Sequence, residues 1–144
     1  MATWTGYLDN AGCPRVKVSL YGYNPTVFKE FEVIVDTGFT GFISMPMVEA
    51  FPLGLILTGT ATTVLADGSQ SHKLTALGTA FVEKESKVGV ILLTAGAHDI
   101  LAGMEFLSTF KKTLFVHGPV VLLLDTEVLN QVSQAAAPAP PPSK

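Results

Sequence analysis

The chain has 144 residues, room for one domain with a core of its own. Charged residues make up 15%, against a usual share of about 25%. The net charge is −3, which argues against a protein that grips nucleic acid through a basic face, and the single cysteine, Cys13, excludes a disulfide-stapled scaffold.

Met1 to Asn10 has neither a basic start nor an apolar run, so it lacks the pattern of a signal peptide. No stretch approaches the roughly 18 apolar residues of a membrane span. The expected location is cytoplasmic, with no membrane partner. Along the chain the hydrophobic period is mostly two. Val16, Val18 and Leu20 alternate with Lys17 and Ser19, and Phe31, Val33 and Val35 with Glu30, Glu32 and Ile34. This spacing predicts half-buried strands. Pro46 to Phe51 is a candidate short helix, with Pro46 in its first turn and Ser44 or Met45 near the cap. A candidate hairpin follows, with Ala66-Asp67-Gly68-Ser69 at its tip. Val88, Val90 and Leu92 form one face of a further strand, and Met104, Leu107 and Phe110 have helical spacing after Gly103.

Turn signals punctuate these runs at Asp9-Asn10-Ala11-Gly12, Asn24-Pro25, Asp67-Gly68-Ser69, Lys84-Glu85-Ser86 and His117-Gly118-Pro119. Short strands with regular turns predict an all-β domain with one or two short helices. From Ala135 the chain reads Ala-Ala-Ala-Pro-Ala-Pro-Pro-Pro-Ser-Lys, which holds four of the nine prolines. Proline removes backbone donors, so this segment reads as a disordered or polyproline tail. The expected division is a folded domain over 1–130 and an Ala/Pro-rich tail over 131–144.

The common phosphate-binding glycine motifs are absent. His72, His98 and His117 are far apart, and Cys13 has no Cys-x-x-Cys partner, so neither a metal nor a cofactor is expected. One segment carries chemistry: Phe31-Glu32-Val33-Ile34-Val35-Asp36-Thr37-Gly38-Phe39-Thr40-Gly41-Phe42. A β-branched run delivers a carboxylate to the end of a strand, where Thr37 and Gly38 turn the chain. Taken alone, Asp36 reads either as a turn residue with an Asx hydrogen bond or as a reactive carboxylate. Downstream, Asp99-Ile100-Leu101-Ala102-Gly103-Met104 is an apolar strand ending in glycine and running into a helix.

Asp-Thr-Gly, then a hairpin, then apolar-apolar-Gly, in this order, resembles the retropepsin-like (retroviral-type) aspartic proteases. The resemblance covers roughly residues 14 to 125 and is nearest to their short bacterial and archaeal forms of clan AA. It implies a closed or partly open acid-protease barrel and a homodimer acting on a peptide or protein substrate. Asp36 then matches the catalytic aspartate, Thr37 the residue bracing the two active-site loops across the dimer, and Gly38 the tight turn. Leu101, Ala102 and Gly103 match the psi-shaped element that packs the catalytic loop. Leu65, Ala66, Asp67 and Gly68 match the flap, with Phe39 and Ile100 beside it as substrate-binding candidates. Phe39, Phe42, Leu65 and Ile100 hint at apolar side chains flanking the cut.

The mechanism implied by the resemblance needs two carboxylates sharing one proton. The chain has one Asp-Thr-Gly, and Asp125-Thr126-Glu127 fails at the glycine. The second carboxylate must then come from Asp36 of another copy. Three positions depart from the family. Phe39 stands where many members carry a residue that can donate a hydrogen bond, which implies activity shifted toward neutral pH. Thr40 and Met104 stand where retroviral members carry an Asp–Arg pair. These departures also fit a non-catalytic dimeric peptide-binding domain of the same fold, and a third possibility is an unrelated small β protein.

Overall fold

A computed structural model describes residues 2–64, 66–96 and 98–136, with the side chains of 132–136 outside the description. Strands β1 (Trp4–Leu8), β2 (Pro14–Tyr21), β3 (Phe28–Val35) and β4 (Ile43–Pro46) lead into helix α1 (Met47–Ala50) and a 3-10 turn, Phe51–Leu53. The long hairpin β5 (Ile56–Val64) and β6 (Gln70–Val82) follows, then β7 (Glu85–Thr94). The two-residue strand β8 (Leu101–Ala102) runs into α2 (Met104–Thr109). A last hairpin, β9 (Lys112–His117) and β10 (Val120–Asp125), ends in α3 (Thr126–Ala136).

The ten strands form one sheet in the order β5-β6-β7-β4-β8-β3-β2-β1-β10-β9. An additional pairing of β6 with β2, Leu20 opposite Ala80, closes a circuit through β7, β4, β8 and β3. The core cluster draws side chains from every strand of that circuit and from β1, β10 and α2 as well. Val16, Val18 and Leu20 of β2 and Phe31, Val33 and Val35 of β3 are buried, as the alternation predicts. Each such side chain contributes about 1.5–3 kcal/mol by leaving water. β4 shows no alternation because it lies between β7 and β8, and all four of its residues are buried.

Three differences from the sequence reading stand out. There are three α-helices among the described residues, not one or two, because Thr126 onward continues as an eleven-residue helix. That helix carries the described fold six residues past the expected boundary at 130, and 137–144 lie outside the described residues. Val88 and Val90 are exposed, and the inward face of β7 is instead Ile91 and Leu93.

The structure also buries one cation. Lys112 at the start of β9 has a fully covered side chain. Its Nζ lies 3.1 Å from Glu85 Oε2 and 3.9 Å from Asp125 Oδ2, donates to Ala2 O at 2.6 Å, and sits 4.8 Å from the centre of the Trp4 ring. Trp4 Nε1 donates to the same Glu85 oxygen at 2.8 Å. The group ties the N-terminus, the β6–β7 turn and the end of β10 together. Breaking such a pair from one side strands the other charge, which costs about 3–5 kcal/mol. Lys112→Ala is expected to lose that much stability in urea unfolding. The charge-free combination of Lys112→Met, Glu85→Gln and Asp125→Asn should lose less.

Candidate active site

Asp36 follows directly on β3 and is half-buried. β3 places it because of what lies beside it. β8 is wedged between β3 and β4: Leu101 and Ala102 pair in parallel with Ile34 and Val35, and antiparallel with Ser44 and Ile43. Asp36 N donates to Ala102 O at 2.9 Å, and Ile34 N to Ile100 O at 2.9 Å. The loop that carries Asp36 thus leaves one edge of β8 and returns along the other.

The start of α2 straps the loop from behind. Gly103 N donates to Phe42 O at 3.0 Å and Met104 N to Phe39 O at 2.8 Å. Glu105 N is shared between Thr40 O and Gly41 O, each at 3.2 Å. Four loop carbonyls are thereby satisfied by the N–H groups that a helix start leaves without internal partners. Gly103 is required by contact: a Cβ there would overlap the carbonyl oxygens of Phe39 and Gly41. Below the loop, Phe42 packs on Phe106 of α2 and on Phe110 just after it, with ring centres 5.5 and 6.4 Å apart, and Trp4 covers Phe110 at 5.0 Å.

Within the loop Gly38 N donates to Asp36 Oδ1 at 2.9 Å and Phe39 N to Asp36 O at 3.1 Å. This is the Asx geometry considered from the sequence, and it leaves the carboxylate at the surface. Thr37 and Gly38 are exposed. The Phe39 ring folds back over Gly41 and Gly103, where added side chains would meet it, so it braces the loop and is half-buried. Thr37 lines a cleft of about 300 Å³ with Met104, Leu107 and Thr113.

The β5–β6 hairpin supplies the flap candidate. Asp67 Oδ1 accepts from Ser69 Oγ at 2.6 Å and Ser69 N at 2.9 Å, and Gly68 takes the left-handed φ of +86° that completes the turn. The Ser69 hydroxyl, then its N–H, hold the Asp67 carboxyl below the usual carboxylate range. Ala66, Asp67 and Gly68 therefore sit together at the tip, while Leu65 lies outside the described residues.

A cavity of about 760 Å³ opens beneath the hairpin stem, walled in part by Thr60, Leu74, Ser44 and Leu101. Asp36 is not in its lining. Ile100, a substrate-binding candidate by sequence, is buried in the core instead, as is Phe42. The cavity's polar residues gave no local motif, because their partners come from β5, β6 and the segment after β7. Among the described residues no group of three or more His, Cys, Asp or Glu side chains could hold a metal, and no helix is long and apolar enough to cross a membrane.

A solved retropepsin-like aspartic protease from Rickettsia conorii superposes on this chain with a TM-score of 0.62. The fold is retropepsin-like. The match covers 85% of this chain and 89% of the other, at 19% identity. No family model and no curated protein matches the chain.

Two outcomes test the Asp36 loop and the hairpin tip. Gly103→Ala is expected to cost about 1–3 kcal/mol by overpacking, seen as a lowered urea midpoint. Ser69→Ala should move the Asp67 titration, followed by NMR, upward toward the ordinary carboxylate range. Because the native carboxyl is held low, its support of the turn is present above the ordinary range. That support fades as pH falls through the folded value.

Proposed function

We propose that the chain is an aspartic endopeptidase that works as a homodimer, with one Asp36 from each copy at the two-fold axis. The observation that carries the reading is the strapped Asp-Thr-Gly loop. It holds a half-buried carboxylate at the surface by backbone contacts on both edges of β8 and on α2. An active-site carboxylate must keep its position to within a fraction of an ångström, and a loop anchored this way does so. The retropepsin-like fold supports the same reading, and the strand circuit fits the expected acid-protease barrel. The single Asp-Thr-Gly requires the second copy.

In the dimer the two carboxylates share one proton, because like charges this close cannot both ionise. The ionised Asp36 takes a proton from a water, whose oxygen attacks the peptide carbonyl. The protonated Asp36 gives its proton to the carbonyl oxygen. The tetrahedral diol then collapses: the C–N bond breaks, the amine leaves with the proton held by the first carboxylate, and one diol hydroxyl returns its proton to the second carboxylate as the carbonyl re-forms. The pair titrates as a unit. The peptide lies extended below the β5–β6 hairpin, held by strand-like hydrogen bonds. Thr37 and Met104, exposed beside Asp36, belong to the surface that the second copy covers.

A second reading, a dimeric domain that binds peptides without cutting them, is favoured by Phe39, whose ring braces the loop and has no polar group to offer Asp36. Asp36→Asn separates the two. Under the catalytic reading it loses about 10²–10⁴-fold in peptide cleavage, while sedimentation still finds a dimer. A dimer that cuts no peptide between about pH 3 and 8 leaves only the binding reading, and a wild-type monomer removes the mechanism.

A further inference from the structure

β8 sets the Asp36 loop, yet the segment that leads into it, between Thr94 and Leu101, belongs to no described strand or helix. The same segment walls the 760 Å³ cavity, where His98 and Asp99 join His72 in the lining. Two contacts hold it in line with β3. The first is backbone: Ile34 N donates to Ile100 O at 2.9 Å. The second is a side chain from the next strand along. Arg15 of β2 stands opposite Ile34 of β3, and its guanidinium reaches over β3. Nη1 donates to Glu32 O at 2.9 Å, and Nη2 donates to Asp99 Oδ1 at 3.2 Å. Among the described residues Arg15 is the one side-chain partner of Asp99.

The guanidinium is itself anchored. Its Nε donates to Asp9 Oδ2 at 2.7 Å, and Asp9 Oδ1 accepts from Ala11 N and Cys13 N at 2.9 Å each. The β1–β2 turn therefore fixes the Asp9 carboxylate, and Asp9 fixes Arg15. The Cys13 N–H, then the Arg15 side chain, hold Asp9 below the usual carboxylate range. Asp9 is the closer and better covered partner, 18% exposed against 59% for Asp99, so it is the anchor and Asp99 is the group being held. A planar fork that meets three elements at once has one orientation, which a lysine could not reproduce.

We propose that Arg15 is a positioning residue: anchored on Asp9, it holds Asp99, and with it the entry to β8, so that Asp36 stands in its place. The inference rests on the reading of Asp36 as the reactive carboxylate. Its action passes through Ile100 and Ala102, whose carbonyls take the Ile34 and Asp36 N–H groups. A misplacement of 1 Å at a reacting group costs about a hundredfold in rate, and loosening one partly exposed tether should cost about tenfold.

The test uses the full chain with Arg15→Met, which keeps the aliphatic stem, and Asp99→Ala, which leaves the Asp9 anchor intact. Neither should move the urea midpoint much, because both side chains are partly exposed. Amide hydrogen exchange, read by NMR, should quicken about tenfold at Ile34 and Asp36 in each variant and stay unchanged at Ala76 and Ala80 of β6. The double variant should exchange no faster than Arg15→Met alone, since the tether is broken once. The kcat for peptide cleavage should fall about tenfold in each single variant, again without adding in the double, and Arg15→Lys should not restore it. Unchanged exchange at Ile34 and Asp36 overturns the proposal, as does exchange that quickens at every amide alike, or an unchanged kcat. If the unaltered chain cuts no peptide, the catalytic reading fails by itself, and the exchange rates still decide whether Arg15 holds the Asp36 loop.

Discussion

Leu101 and Ala102 are paired along both edges, in parallel with β3 and antiparallel with β4. That double pairing is the constraint on which the candidate site depends. A strand of two residues has almost no stability of its own. It holds because its backbone groups are matched on each side and because Ala102 is fully buried. In return it sets where the Asp36 loop departs and where it returns. The α2 N–H groups then take up the loop carbonyls, and the Phe42, Phe106, Phe110 and Trp4 rings fill the space below. The loop has little freedom left, though Asp36, Thr37 and Gly38 sit at the surface.

This arrangement explains how an aromatic residue is accommodated beside the aspartate. Phe39 gives its carbonyl to Met104 N and folds its ring over Gly41 and Gly103. A bulky side chain is tolerated only because both neighbours are glycine. Position 39 thus contributes to holding the loop rather than to polarising the carboxylate. The positions 40 and 104 work together in a similar way. Thr40 offers its carbonyl to Glu105 N, and Met104 offers its N–H to the loop, so both join the strapping through backbone atoms.

The parts of the fold that could be read from the chain were those with local periodicity. The β2 and β3 alternation is plain because one face of each meets the core and the other meets water. The Asp36 loop and the apolar run into Gly103 are legible for the same local reason. β4 was not, since burial on both faces erases alternation. β7 misled, because Val88 and Val90 are apolar yet point outward, while Gly89 on the inward side leaves room for the Phe42 ring. Nothing local marks Lys112 for burial, and only the meeting of Glu85, Asp125 and Trp4 makes it tolerable. Ile100 reads as a pocket residue from its place beside the motif, but it faces the core. The cavity with His72 and His98 has no sequence signature, since its walls meet only in three dimensions.

β1 divides its pairing. Trp4 to Gly6 lies against β10, and Tyr7 and Leu8 against β2. Trp4 stands opposite Leu123, so the first strand and the last are neighbours in space and strangers along the chain. A ribosome delivers β1 first and its partner nearly last. Until Glu85, Phe106, Phe110 and Lys112 emerge, the Trp4 indole, among the most deeply buried side chains of the finished molecule, lacks the groups it packs against. Closing so long a loop is slow relative to making local contacts. The aromatic floor beneath the Asp36 loop is complete only when Trp4, from the first strand, has met Phe106 and Phe110 a hundred residues on.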